Sequence, residues 1–80
     1  MEFFTPTACV RAAILKGLPT GWEYSEAVHG FFGPDLVHVE AELFRTKPGW
    51  CWVAFNSDMD WETFPANKVF EAMAWASTKP

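Results

Sequence analysis

The sequence predicts an α+β fold in which a three-stranded antiparallel β-meander is flanked by an N-terminal and a C-terminal helix, in the order α-β-β-β-α. Three observations lead to this prediction: a proline-marked helix start, a nine-residue stretch of strict alternation, and a helical apolar stripe near the end. The chain has 80 residues, and a domain usually takes about 100 to 200. We therefore expect one domain, residues 1–80, with one small core.

The first helix is predicted to follow Thr5 and Pro6 and to stop at residues 17–19. Threonine is a favourable cap, proline is tolerated in the first turn, and the Gly-Leu-Pro run ends the helix. At about 100° per residue, one face of this helix becomes apolar. That face consists of Val10, Ala13, Ile14, Gly17 and Leu18.

The middle of the chain is predicted to form the meander. Residues 22–29 alternate loosely between apolar and polar and read as the first strand, whereas residues 30–35 have turn composition. Residues 36–44 alternate strictly, which is the signature of a half-buried strand. The inward side chains of this second strand are expected to be Val37, Val39, Ala41 and Leu43.

The third strand, residues 50–55, is expected to pair with the second in an antiparallel hairpin. Only five residues, 45–49, separate the two strands. A parallel pair would need a crossover of a dozen or more residues. Residues near Glu42 are therefore predicted to lie opposite residues near Cys51.

The second helix is predicted to start between Thr63 and Ala66 and to run to about Ala76. Thr63 or Asn67 is the expected cap. The inward stripe consists of Val69, Phe70, Met73 and Ala76, and Trp75 lies outside it.

Composition narrows the class of function. Ten acidic and six basic residues give a net charge of −4, which argues against a protein that grips nucleic-acid phosphates. Two cysteines are too few for a disulfide scaffold. The start of the chain has no basic segment before an apolar one, and no apolar run approaches the roughly 18 residues of a membrane span. We expect a cytoplasmic protein that does not bind a membrane.

No motif predicts catalysis, a metal or a cofactor. The acidic run that begins at Asp58 resembles a calcium loop, but Thr63 and Val69 stand where that loop needs Gly and Glu. His38, Glu40 and Glu42, with His29 as an added candidate, are too widely spaced on a strand to hold one ion alone. Neither cysteine has the neighbours of a nucleophile. We expect a protein that is not an enzyme.

A partner-binding surface is the remaining candidate. If the second strand turns its apolar side chains inward, Glu40 and Glu42 point outward. The third strand offers two options, since either Cys51, Val53 and Phe55 or Trp50 and Trp52 can be buried. In the first option the tryptophans would stand beside the two glutamates and form an aromatic and acidic surface. The sequence leaves both options open.

An acidic, tryptophan-rich chain of this size without a catalytic motif resembles the small anti-CRISPR proteins of bacteriophages. Within that class it resembles inhibitors of type I CRISPR surveillance complexes, such as the type I-C complex. The resemblance concerns overall character and transfers no individual residue. It implies binding to a basic, nucleic-acid-binding surface of a Cas subunit, which would block target DNA without direct contact to nucleic acid.

The predicted partner-binding residues follow from this surface and from the acidic loop. They are Glu40, Glu42, Trp50, Trp52, Asp58, Asp60 and Glu62. Two other classes remain open: an acidic binding module or antitoxin-like regulatory subunit of cellular origin, and a small phage structural protein. A monomer or dimer would disfavour the structural protein, because that class self-assembles.

Overall fold

The structure, a computed structural model, describes residues 7–25, 30–44 and 46–78. Two helices, α1 (Ala8–Lys16) and α2 (Val69–Ser77), accompany one antiparallel sheet. Its strands are β1 (Glu23–Ser25), β2 (Gly30–Phe32), β3 (His38–Leu43), β4 (Trp50–Phe55) and β5 (Trp61–Pro65). Each strand pairs with the next one along the chain. The α+β class and the meander are confirmed, but the prediction of three strands is wrong because the sheet has five.

Strand β2 lies in residues 30–35, which were expected to form a turn because of their composition. In the structure, Gly30 is a strand residue that pairs with Glu40. A side chain at this position would overlap the backbone of β3, because an added Cβ would collide with the Val39 carbonyl oxygen. Because glycine has no Cβ atom, Gly30 allows β2 and β3 to lie this close together.

The turn itself is shorter than predicted and lies at Pro34 to Val37. The Val37 amide donates to the Pro34 carbonyl at 3.4 Å. Asp35 and Leu36 both adopt positive φ angles, 59° and 67°, as a tight hairpin turn requires at its two central positions. Strand β3 consequently starts at His38, two residues later than the alternation suggests.

The β3–β4 hairpin is confirmed. Glu42 lies opposite Cys51, and Val39 lies opposite Ala54. The alternating stretch therefore pairs with β4 in the predicted register, but Leu43, which was expected to be an inward side chain, is 37% exposed at the end of the strand.

Strand β5 occupies residues that were assigned in part to the second helix. Thr63 pairs with Val53 in the sheet, and the chain then turns so that the Lys68 amide donates to the Pro65 carbonyl at 2.9 Å. Helix α2 begins at Val69, with Lys68 as its cap residue and no side-chain capping bond. The predicted start between Thr63 and Ala66 is wrong because residues 61–65 pair with the edge of β4 as a strand instead.

Helix α1 begins later than predicted. Its cap is Thr7, whose Oγ1 accepts a hydrogen bond from the Val10 amide at 3.4 Å. Thr5 and Pro6 lie outside the described residues. Ile14 is buried, and Val10 and Leu18 pack against the core as predicted.

The core lies between the helices and one face of the sheet. From α2 it takes Val69, Ala72, Met73 and Ala76, and from the sheet Phe31, Val39, Ala41, Trp52 and Ala54. Phe70 is exposed, against prediction, and its ring tip would lie 3.1 Å from a Cβ added at Gly17, so it packs at the end of α1. Trp75 is partly buried and packs against Phe64, with ring centroids 6.2 Å apart. Among the described residues, no helix is long and apolar enough to cross a membrane.

Candidate partner-binding surface

The two faces of the sheet separate the predicted site residues. We call the face that packs against α1 and α2 the inner face, and the opposite one the outer face. Because side chains alternate along a strand, the register puts directly opposed residues on the same face. The outer face therefore carries His38, Glu40, Glu42, Cys51, Val53, Phe55, Trp61 and Thr63.

The two tryptophans of β4 belong to the inner face. Trp52 is 0% exposed, and its indole Nε1–H donates to the Ala66 carbonyl at 2.9 Å. Trp50 meets it edge-on, with ring centroids 5.1 Å apart. The surface combining Trp50 and Trp52 with the two glutamates is therefore not formed, because the tryptophans and carboxylates point to opposite sides of the sheet. A fully buried indole with a satisfied N–H is a core residue.

Glu40 and Glu42 are buried on the outer face, with only 7% and 9% of their surfaces exposed. Burial and, to a smaller degree, the neighbouring charge of Glu42 together raise the pKa of Glu40 to about 7. Burial also raises the pKa of the Cys51 thiol. The charge of Glu42 raises this pKa as well, whereas the charge of Lys47 lowers it. A low-dielectric environment favours the uncharged form of an acid. These carboxylates are therefore not freely solvated surface charges.

A small ring cluster lies at one end of the outer face. His38 stacks on Phe55, with centroids 4.5 Å apart and planes 14° from parallel. Phe32 lies on the other side of the imidazole at 5.7 Å. Desolvation lowers the pKa of His38, and a backbone hydrogen bond with Leu36 acts in the opposite direction. The neutral imidazole thus behaves as a third aromatic ring.

The acidic loop is built around a buried asparagine. The Oδ1 atom of Asn56 accepts hydrogen bonds from the amides of Asp58 and Asp60, both at 3.0 Å. An asparagine side chain that bonds the backbone two residues ahead is a common way to fix a turn. Asp58, Asp60 and Glu62 are all exposed. The loop therefore presents Asp58 and Asp60 to solvent, whereas Glu62, which was expected in the same loop, lies in strand β5.

Trp61 is the residue that sequence reasoning missed. It lies opposite Phe55 on the outer face and is 64% exposed. Met59, in the loop before it, is 61% exposed and has a φ of 66°. Both were treated as part of an acidic loop. Residues 61–65 show no apolar–polar alternation, since Glu62 and Phe64 would share one face, so no local pattern marks them as a strand.

A groove of about 370 Å³ opens on the outer face beside Trp61. Its lining consists of Glu42, Leu43, Cys51, Val53, Phe55, Trp61 and Thr63. Glu42, Cys51 and Val53 are buried, whereas Trp61, Leu43 and Thr63 are exposed. The groove thus has a buried floor that includes one carboxylate and an exposed rim that includes one indole.

Within the described residues, no group of three or more His, Cys, Asp or Glu side chains is arranged to hold a metal ion. Both cysteines are free thiols, Cys9 exposed and Cys51 buried. The chain matches no protein-family model, and no curated protein and no solved structure is significantly similar to it. Fold and site together describe a small α+β domain with an exposed acidic and aromatic surface.

Proposed function

We propose that this protein is a non-enzymatic inhibitor that binds a basic, nucleic-acid-binding surface of another protein and thereby blocks nucleic acid from it. One observation carries the proposal: an exposed tryptophan, Trp61, directly follows the loop that exposes Asp58 and Asp60. The indole and these two carboxylates are therefore neighbours along the chain, whereas Glu62 points to the other side of β5.

The two kinds of group have different expected roles. Buried aromatic anchors supply most of the affinity at protein interfaces, and tryptophan is enriched among them. Complementary charge mainly sets the association rate and the orientation of the partner. Trp61 is the proposed anchor, and the carboxylates of Asp58, Asp60 and Glu62 are the proposed steering charges.

The structure changes which residues of the original prediction support this role. Trp50 and Trp52 support the core instead of the surface, because Trp52 is fully buried and Trp50 packs against it. Glu40 and Glu42 are buried, so we do not expect them to act as solvated steering charges. A partner-binding role for the acidic loop stays a prediction.

The proposed partner is a Cas subunit of a type I CRISPR surveillance complex, as the class resemblance implies. The direct test is a mobility-shift assay in which the purified type I-C complex binds target DNA in the presence of increasing amounts of this protein. Inhibition should fall as salt rises, because the steering charges are screened within about 10 Å at 0.1 M salt.

Two pairs of charge reversals separate a local surface from overall charge. The loop pair is Asp58→Lys with Asp60→Lys, and the matched control pair is Glu23→Lys with Glu71→Lys. Each substitution adds two units of charge, so either pair takes the net charge from −4 to 0. We expect the loop pair to weaken inhibition at least tenfold and the control pair to change it by less than threefold. Trp61→Ala should weaken inhibition at least tenfold at any salt concentration.

Equal effects of the two charge pairs would show that only overall charge matters and would refute the surface proposed here. If the parent protein fails to displace DNA from this complex, the assignment to that partner is wrong. Affinity capture with the parent and Trp61→Ala proteins as paired baits then identifies any other partner that depends on Trp61.

A further inference from the structure

We propose that the outer-face groove beside Trp61 receives an arginine side chain of the protein partner. This inference rests on the proposed function, since it names the group on a basic partner surface that the site would recognise. It adds a ligand-binding pocket to an interface otherwise described only by its exposed residues.

The shape of the groove suits one long side chain. Its volume of about 370 Å³ is near the lower end of the range for small-ligand pockets, roughly 300–1,000 Å³. The floor is buried at Glu42, Cys51 and Val53, and the exposed rim contains Trp61 and Thr63. A side chain entering from the rim would pass the indole before it reaches the floor.

The chemistry of the lining favours a cation. Among the described residues of the lining, Glu42 is the one carboxylate, and Phe55 and Trp61 contribute aromatic rings. Aromatic faces attract cations within about 6 Å of the ring centroid. A carboxylate has two oxygens and about four acceptor sites, so Glu42 can accept bonds from a ligand in addition to its contacts within the chain.

Arginine fits this lining better than lysine. The guanidinium is planar, stacks on aromatic rings and forms two parallel hydrogen bonds to a carboxylate. It is also more weakly hydrated than an ammonium group, so it loses less on entering a mostly apolar groove. The apolar walls would pack along the aliphatic part of the side chain.

A nearby lysine of the chain is engaged elsewhere. The Lys47 ammonium lies 4.4 Å from the centre of the Phe44 ring. These two residues line a neighbouring hollow together with Cys51 and Thr63, and neither lines the groove.

The test uses a small probe, so that it does not depend on finding the partner. N-acetyl-arginine-N-methylamide is titrated into the 80-residue protein at low salt and followed by the ¹H–¹⁵N signals of the Trp61 indole and the Thr63 amide. The matched neutral probe is N-acetyl-citrulline-N-methylamide, which has nearly the same shape. We expect millimolar affinity, about 1–10 mM, for the arginine probe, and at least fivefold weaker binding of the citrulline and matching lysine probes.

Three variants locate the binding. Glu42→Gln should weaken arginine binding at least fivefold, whereas Glu71→Gln, a change at an exposed carboxylate of α2, should leave it within twofold. Thr63→Tyr fills the groove from an exposed position and should also abolish binding, which keeps the test decisive if Glu42→Gln does not fold. Circular dichroism spectra and melting curves report folding of each variant.

Equal binding of arginine and citrulline probes, or full binding to Thr63→Tyr, would overturn the proposal. A protein that binds the probe but displaces no nucleic acid from any partner would refute the proposed function alone. A protein that displaces nucleic acid from its partner but does not bind the arginine probe would refute the groove proposal alone.

Discussion

Glu40 lies two residues before Glu42 on the same face of β3, and both side chains are buried. Two residues along a strand span about 6.6 Å, so each carboxylate feels the other's charge. Together with burial, this raises the pKa of Glu40 to about 7. The pair gives the outer face an acid that titrates near neutrality in the folded protein.

The first prediction concerns stability against pH. The folded pKa of Glu40 lies above its unfolded value of 4.5. The contribution of this carboxyl to the free energy of unfolding is therefore fully present below about pH 4.5 and is lost as the pH rises through 7. We expect Glu40→Gln to be more stable than the parent at pH 8, by on the order of 1–3 kcal/mol. This advantage should shrink towards pH 4.5. Urea unfolding at several pH values measures it.

His38, on the same outer face, acts in the opposite direction. Because the pKa of His38 is lowered from 6.5 in the folded protein, its contribution to the free energy of unfolding is present above pH 6.5 and is lost as the pH falls. His38→Gln should therefore flatten the acid side of the stability profile, and it serves as the control for Glu40→Gln. An advantage of Glu40→Gln that is the same at pH 5 and pH 8 would contradict the assignment of the raised pKa.

The second prediction concerns the support of the acidic loop. Asn56→Ala removes the acceptor for the amides of Asp58 and Asp60, so we expect a loss of about 1–3 kcal/mol in the free energy of unfolding. Amide hydrogen exchange at residues 58 and 60 should also accelerate. Asn56→Asp keeps an acceptor oxygen and should preserve the protection of both amides. Unchanged exchange in Asn56→Ala would show that the loop does not depend on this side chain.

The third prediction concerns the β2–β3 turn. Leu36 is 77% exposed and has a φ of 67°, a conformation that costs an ordinary residue roughly 1–2 kcal/mol. Leu36→Gly should stabilise the protein by about 0.5–1 kcal/mol, because the greater freedom of glycine in the unfolded chain offsets part of the relief. Leu36→Ala, which keeps the Cβ atom, should show no such gain. Equal stability of the two variants would mean that backbone strain is not the cause.

The fourth prediction tests the role of Gly30 in the sheet. A Cβ atom there would lie 2.8 Å from the Glu40 Cα atom as well as against the Val39 carbonyl. Because Gly30→Ala must push two strands apart, we expect it to lower the free energy of unfolding by about 1–3 kcal/mol or more. At Gly17 an added Cβ meets the ring of Phe70 at 3.1 Å instead of backbone, and Gly17→Ala should cost less than 1 kcal/mol. Thermal melts of both alanine variants, run side by side, provide the comparison.

The sequence by itself determined the class of fold and the hairpin at its centre. Strict alternation over residues 36–44 and a five-residue loop leave only one way to pair β3 with β4. It also determined that Glu40 and Glu42 share a face opposite to Val39 and Ala41, since side chains alternate along any strand.

Only the tertiary structure decided which side of β4 faces the helices, because both sides of the strand are buried between residues 51 and 54. Its two sets of side chains are both apolar, so alternation does not distinguish Trp50 and Trp52 from Cys51, Val53 and Phe55. The choice depends on which face α2 covers, and α2 places its apolar stripe against Trp52.

The ends of the sheet also required tertiary information. Gly30 has the composition of a turn and becomes a strand residue because β3 lies close beside it. Residues 61–65 become β5 because β4 has an edge to which they hydrogen-bond. That pairing places Trp61 opposite Phe55 and creates the groove, a long-range relationship that no local pattern in the sequence encodes.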